Sequence, residues 1–141
     1  MFHVNAWGAT YASAMVGSKL VLPGPNVNAS NLTRLISEEK VTVAIGIPTI
    51  WEELLTHLEE NNANIKSLKR IFAGGAKVPD WMITMFADKH DIKCVQAWGM
   101  TETSPVGLIN TATNKNQKLS KQKTGRPVWT TQFKIMDEDG N

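Results

Sequence analysis

The sequence predicts an α/β fold, a largely parallel sheet with helices on its faces. Short β-branched runs alternate with stretches whose apolar residues recur three and four positions apart. The alternation occurs three times between residues 30 and 97, and glycine or proline stands at most strand ends. Such a pattern implies right-handed crossovers between parallel strands.

Taken in order, residues 6–16 mix small and apolar side chains at spacings that predict a buried helix, and 19–22 reads as a short strand closed by Pro23-Gly24-Pro25. Ser30 or Asn31 is placed to cap a helix reaching Lys40, with Leu32, Leu35 and Ile36 on one face. The β-branched run 41–47 follows and ends at Pro48. Trp51, Leu54, Leu55 and Leu58 make the next stripe, with Glu52, Glu53, Glu59 and Glu60 off it and Asn61-Asn62 at its end. Residues 68–73 read as a strand stopped by Gly74-Gly75. Pro79 suits the first turn of a helix with Met82, Ile83 and Phe86 inward and Lys89-His90 near its C-terminus. Strands are then expected at 92–97, 106–109 and 131–136, with a polar loop over 110–123 and a turn at Asp137-Glu138-Asp139-Gly140.

The 141 residues suffice for one ordinary domain, and 42% hydrophobic with 20% charged is the balance of a soluble globular protein. Fifteen basic and 13 acidic residues leave a net charge of +2, too little field to recruit nucleic acid or an anionic membrane. The local excess at Lys115, Lys118, Lys121 and Lys123 reads as a solvated loop, with phosphate binding as the alternative. Cys94 is the only cysteine, which excludes an internal disulfide and fits a reducing, cytoplasmic compartment. Its strand setting predicts a buried structural thiol rather than a nucleophile. The longest apolar stretch, 6–22, is broken by Gly8, Gly17, Ser18 and Lys19 and lacks the charged start and cleavage site of a signal peptide, so it reads as core. The chain enters an apolar pattern without preamble and stops on a hairpin turn, as a piece of a larger protein would.

In a parallel sheet, ligands collect at the carboxyl ends of the strands, where loops converge and the next helix presents free N–H groups. Three unusual loops occupy such ends: Pro48-Thr49, Gly74-Gly75-Ala76, and the stretch opening at Ala97. Paired glycines let backbone pass close to a flat or charged ligand. Trp98 offers an aromatic face, Thr101 a hydroxyl, and Glu102 a hard oxygen ligand for Mg²⁺. Each also has an ordinary reading: a turn for the glycines, core for Trp98, a helix start for Thr101-Glu102. Together they raise a nucleotide-triphosphate site, and the residues alone stop there.

The motif QAWGMTETSP at 96–105 resembles the adenine- and magnesium-binding signature of the adenylate-forming superfamily. MFHVNAWG at 1–8, GIPTIW at 46–51, AGGAKVP at 73–79 and TGRP at 124–127 resemble four further signatures of that family, in the family's order, across essentially the whole chain. MFHVNAWG, PGP at 23–25 and TETSP look most like medium- and long-chain fatty acyl-CoA synthetases. The resemblance implies ATP-dependent formation of an acyl-adenylate, followed by transfer of the acyl group to coenzyme A. It places Gly74, Gly75, Ala76, Gln96, Ala97 and Gly99 along the nucleotide and the acyl carboxylate, and Trp98 on the adenine. Thr101 would bond the α-phosphate and Glu102 would hold Mg²⁺, while His3, Trp7 and Gly75 would border the acyl channel. His57 and His90 match no motif and read as surface; Arg126 and Pro127 read as a turn. Fatty-acid relatives often dimerise, so a homodimer is admitted. The resemblance makes 1–141 an internal part of the N-terminal adenylation domain, with an α/β subdomain to about 109 and the start of a β subdomain from 110. The family's Ser/Thr/Gly-rich phosphate loop, its downstream ribose-binding Asp, its hinge and its C-terminal lysine are not in these residues, so the chain alone is expected to have little activity. Competing readings are a ligase for an aryl or short branched acid, a non-catalytic nucleotide- or acyl-binding module and, weakest, a flavodoxin-like regulator.

Overall fold

The computed structural model describes residues 3–111 and 123–140. Lys115, Lys118 and Lys121, with most of the expected polar loop, lie outside the described residues, and Lys123 is exposed. One five-stranded sheet organises the chain, in the order β1 (Val43–Gly46), β2 (Arg70–Ala73), β3 (Lys93–Gly99), β4 (Val106–Ile109), β5 (Arg126–Pro127). β1, β2 and β3 run parallel, whereas β4 and β5 join antiparallel. The class is α/β, but the parallel half ends at β3. The 99–106 loop is too short for a crossover helix and returns the chain on the neighbouring edge. Arg126 and Pro127 do not turn the chain; they pair with Ile109 and Leu108. The sheet thus runs through the boundary expected near 109.

Helices α4 (Pro48–Asn61) and α5 (Asp80–His90) make the β1–β2 and β2–β3 crossovers. Two crossovers of the same hand between successive neighbours put both helices on one face, rather than one on each. Against that face lie Ile71 and Ala73, fully buried with Leu54, Leu55 and Leu58 from α4 and Met82 and Phe86 from α5. Pro48 occupies the first turn of α4, where a missing N–H costs nothing, and Asn62 ends the helix in the left-handed region. Gly46 lets the Trp51 indole lie against β1, since a Cβ there would approach the ring to 2.9 Å. Helix α3 (Ala29–Glu38) packs on α4 through Ile36 and begins earlier than the sequence suggests. Asn28 is its cap, accepting the Asn31 N–H at 2.8 Å, so Asn31 is a donor inside the first turn. Exposed ion pairs join Arg34 to Glu38, Lys19 to Glu39 and Lys89 to Glu59.

The N-terminal expectation holds for a helix within 6–16 but not for its burial or its start. Residues 3–7 form α1 (His3–Trp7), a turn with φ between 44° and 56° at every residue, which is left-handed helix. The short helix α2 (Ala9–Met15) follows and buries nothing; Tyr11, Met15 and Val16 are exposed. Apolar spacing alone does not create a core, because a facing layer is also required, and among the described helices and strands the short turn α1 is what chiefly packs against α2. Residues 19–22 and 131–136 form no strand, since neither finds a described neighbour to complete a hydrogen-bonded ladder. Among the described residues, no helix is long and apolar enough to cross a membrane.

Cys94 lies on β3, largely buried, and burial pushes its thiol up to about 12, which removes it as a nucleophile at neutral pH. His90 is half-buried rather than at the surface, its ring 6.3 Å from that of Phe86. Burial holds its imidazole below the usual value of 6.5, with Glu59 opposing the shift and Lys89 adding to it. The unfolded chain therefore takes up the His90 proton first. Stability should be level above about pH 6.5, fall as the pH drops below it, and level again once the folded imidazole protonates. Urea unfolding at pH 7.5 and 5.5 checks this: His90→Gln should flatten the difference, and an unchanged slope would refute it.

Candidate active site

The carboxyl ends of β1, β2 and β3 open into a cleft of about 190 Å³. Its floor is the glycine pair that follows β2. Gly74 is buried, and a Cβ on it would meet the Ala97 carbonyl at 2.9 Å and the Trp7 indole at 3.2 Å, so only glycine lets Trp7 lie this close to the sheet. Gly75 is exposed at φ +83°, a conformation that disfavours any side chain. The cleft lining is apolar at Val4 and Trp7 of the left-handed turn and at Ile47 just after β1, and His3 joins them. Ala97, Trp98, Gly99, Met100 and Thr101 line it as well.

The loop after β3 is shaped by its own backbone. β3 bulges between Trp98 and Gly99, and the Met100 N–H reaches the Pro105 carbonyl at 2.9 Å and the Thr103 hydroxyl at 3.0 Å. The Thr103 hydroxyl donates in turn to the Pro105 carbonyl at 2.7 Å. These bonds close a one-turn 3₁₀ helix, Thr101–Thr103, that holds Thr101 and Glu102 exposed beside the cleft. The ordinary helix-start reading of Thr-Glu is therefore half right: the cap is made by Thr103 and the Met100 backbone, which leaves Thr101 and Glu102 outside it. Neither side chain is engaged in a hydrogen bond or ion pair among the described residues.

Of the residues singled out from sequence, the cleft gathers His3, Trp7, Gly74, Gly75, Ala97, Trp98, Gly99 and Thr101. Ala76 is exposed outside it, and Glu102 stands next to it in the chain rather than in its wall. Gln96 is buried and aims away: its Oε1 accepts the Val78 N–H at 3.2 Å and so ties the 74–78 loop to β3. That is a positioning role for the glycine floor. Val4, Ile47, Met100, Pro105 and Val106 also line the cleft and were not singled out. Ile47 was legible in principle, being the apolar residue just before a proline at a strand end.

The AMP-binding enzyme family matches the chain over residues 1–141. The chain belongs to that family. It is 43% identical to the 3-methylmercaptopropionyl-CoA ligase of Ruegeria lacuscaerulensis, covering all of this chain and 28% of the relative. It is also 43% identical to the medium-chain-fatty-acid–CoA ligase of Ectopseudomonas oleovorans, over 99% of this chain and 27% of the relative. Among solved structures, the N-terminal domain of FACL13 from Mycobacterium tuberculosis superposes over the whole chain with a TM-score of 0.84 at 28% identity, 35% of that chain being covered. The chain thus spans little more than a quarter of the length of these curated relatives.

Proposed function

We propose that these residues form part of the N-terminal adenylation domain of an acid–thiol ligase, which activates a fatty acid with ATP and passes it to coenzyme A. The observation that carries the reading is one cleft lined together by apolar Val4, Trp7 and Ile47, by the Trp98 ring and the Thr101 hydroxyl, and by the bare backbone of Gly74 and Gly75. An alkyl chain fits the apolar residues, a nucleobase stacks on Trp98, and the glycine pair lets the acid carboxylate and the α-phosphate approach one another. Thr101 donates its hydroxyl to the α-phosphate. Glu102, exposed and unpaired among the described residues, is the single hard oxygen donor that Mg²⁺ needs beside substrate phosphates. When bound there, the ion would offset negative charge on the departing pyrophosphate. His3 and Trp7 border the entrance of the acyl channel.

A second reading differs in the acid. The ligase named for a short thioether acid is as similar to this chain as the one named for medium-chain fatty acids, and the cleft is modest in volume. Short and branched carboxylates are therefore an alternative. ATP–pyrophosphate exchange by the full-length ligase, with octanoate, 3-methylmercaptopropionate, isobutyrate and benzoate, separates the readings. Octanoate is expected to give the highest kcat/KM. A lead of tenfold or more by a short acid would favour the second reading, and no exchange with any acid would refute the ligase. The 141 residues alone should exchange little. A cytoplasmic setting is proposed on the reduced, inert Cys94.

A further inference from the structure

We propose that Phe133 is a positioning residue that holds the Trp98 ring in place for base stacking; this rests on the nucleotide side of the cleft proposed above. Trp98 sits at the irregular end of β3 and is 39% exposed, so its own strand does not immobilise its indole. Phe133 meets it edge-on, with ring centroids 5.5 Å apart and an interplanar angle of 75°. An edge-to-face pair is attractive because the positive ring edge points at the negative face. The two rings meet over Gly107 on β4. A Cβ there would lie 2.7 Å from Cζ3 of Trp98 and 2.9 Å from Cζ of Phe133, so the glycine gives both rings a flat seat.

Phe133 belongs to no strand, yet it is tethered. The Thr131 hydroxyl donates to the Gly107 carbonyl at 3.0 Å, and the Val128 N–H donates to the same oxygen at 3.0 Å. The segment after β5 is thereby fastened to the residue beneath the aromatic pair. Trp98 also lines the cleft, and Phe133 does not. Phe133 therefore acts on a ligand only through Trp98, by limiting the rotation of an indole that would otherwise have to be ordered when the base arrives.

The test uses the full-length ligase and reads KM for ATP, KM for the acid and kcat separately. Phe133→Leu should raise KM for ATP about three- to tenfold, the range of one aromatic pair, with the other two constants nearly unchanged. Phe133→Tyr keeps the ring edge and should restore the wild-type value. Thr131→Val, which removes only the tether, should shift the same constant less, and it serves as a second probe if Phe133→Leu folds poorly. Phe133→Leu should add nothing in a Trp98→Ala background. An unchanged KM for ATP in Phe133→Leu, or equal changes in all three constants, would overturn the proposal while leaving the ligase intact. If Trp98→Ala itself leaves KM for ATP unchanged, Trp98 does not stack the base and the proposal fails with that reading.

Discussion

Glu102→Gln in the full-length ligase is expected to reduce acyl-adenylate formation by roughly a hundredfold or more, without lowering the thermal midpoint. The side chain is exposed and makes no ion pair among the described residues, so the folded state loses no contact when the charge is removed. What disappears is the negative oxygen that, in the proposed site, would face the metal. Removing one preorganised electrostatic partner of a reacting group typically costs 10²–10³ in rate, about 2.7–4 kcal/mol. Pyrophosphate exchange at varied Mg²⁺ gives the sharper reading, because part of the loss should return at high metal concentration. Full exchange by Glu102→Gln at low Mg²⁺ would remove Glu102 from the metal site and strengthen the non-catalytic binding reading.

Gly99→Ala should be the most damaging single-methyl change in the site. Its Cβ would fall 1.9 Å from the Pro105 carbonyl oxygen, so backbone has to move. That oxygen accepts both the Met100 N–H and the Thr103 hydroxyl, and the same displacement breaks both bonds. Overpacking of this kind costs about 1–3 kcal/mol. The functional loss should be larger in proportion, because the loop that opens carries Thr101 and Glu102. Urea unfolding read beside exchange activity tests the pair of effects. Gly107→Ala crowds rings rather than a carbonyl and gives a useful contrast: it should act on KM for ATP first. Wild-type exchange in Gly99→Ala would mean that the loop is not held by this contact.

The helices with full apolar stripes, α4 and α5, and the strands that follow them were legible because period and burial agree there. Leu54, Leu55, Leu58, Met82 and Phe86 face inward as their spacing requires. The stretch 6–22 misled on burial: it contains a helix, α2, with no buried residue, and periodicity carries no information about what lies opposite. Handedness was hidden too, since His3, Val4, Asn5, Ala6 and Trp7 include no glycine to signal positive φ. In the site, Gly74, Gly75, Trp98 and Thr101 were recognisable from their chemistry and His3, Trp7, Ala97 and Gly99 from the family resemblance, and these eight do meet at one cleft. Gln96 was not, because whether an amide at a strand end points to ligand or to its own neighbouring loop is settled only by tertiary packing. Phe133 and Gly107 were invisible for a related reason, as a contact between segments 35 residues apart leaves no trace in local pattern.

The left-handed turn bears on the order in which the molecule assembles. Left-handed helix costs an L-residue roughly 1–2 kcal/mol, so five such residues together cost on the order of 5–10 kcal/mol. A domain's whole net stability is about 5–15 kcal/mol. The turn therefore cannot nucleate anything and has to be imposed late by surroundings that already exist, above all the bare Gly74 backbone on which Trp7 rests. The sheet with α4 and α5 is the platform, and the left-handed turn that brings Val4 and Trp7 to the cleft is a guest upon it. Mild denaturant should release that turn while the platform still stands, so loss of the proposed acid recognition need not report loss of fold.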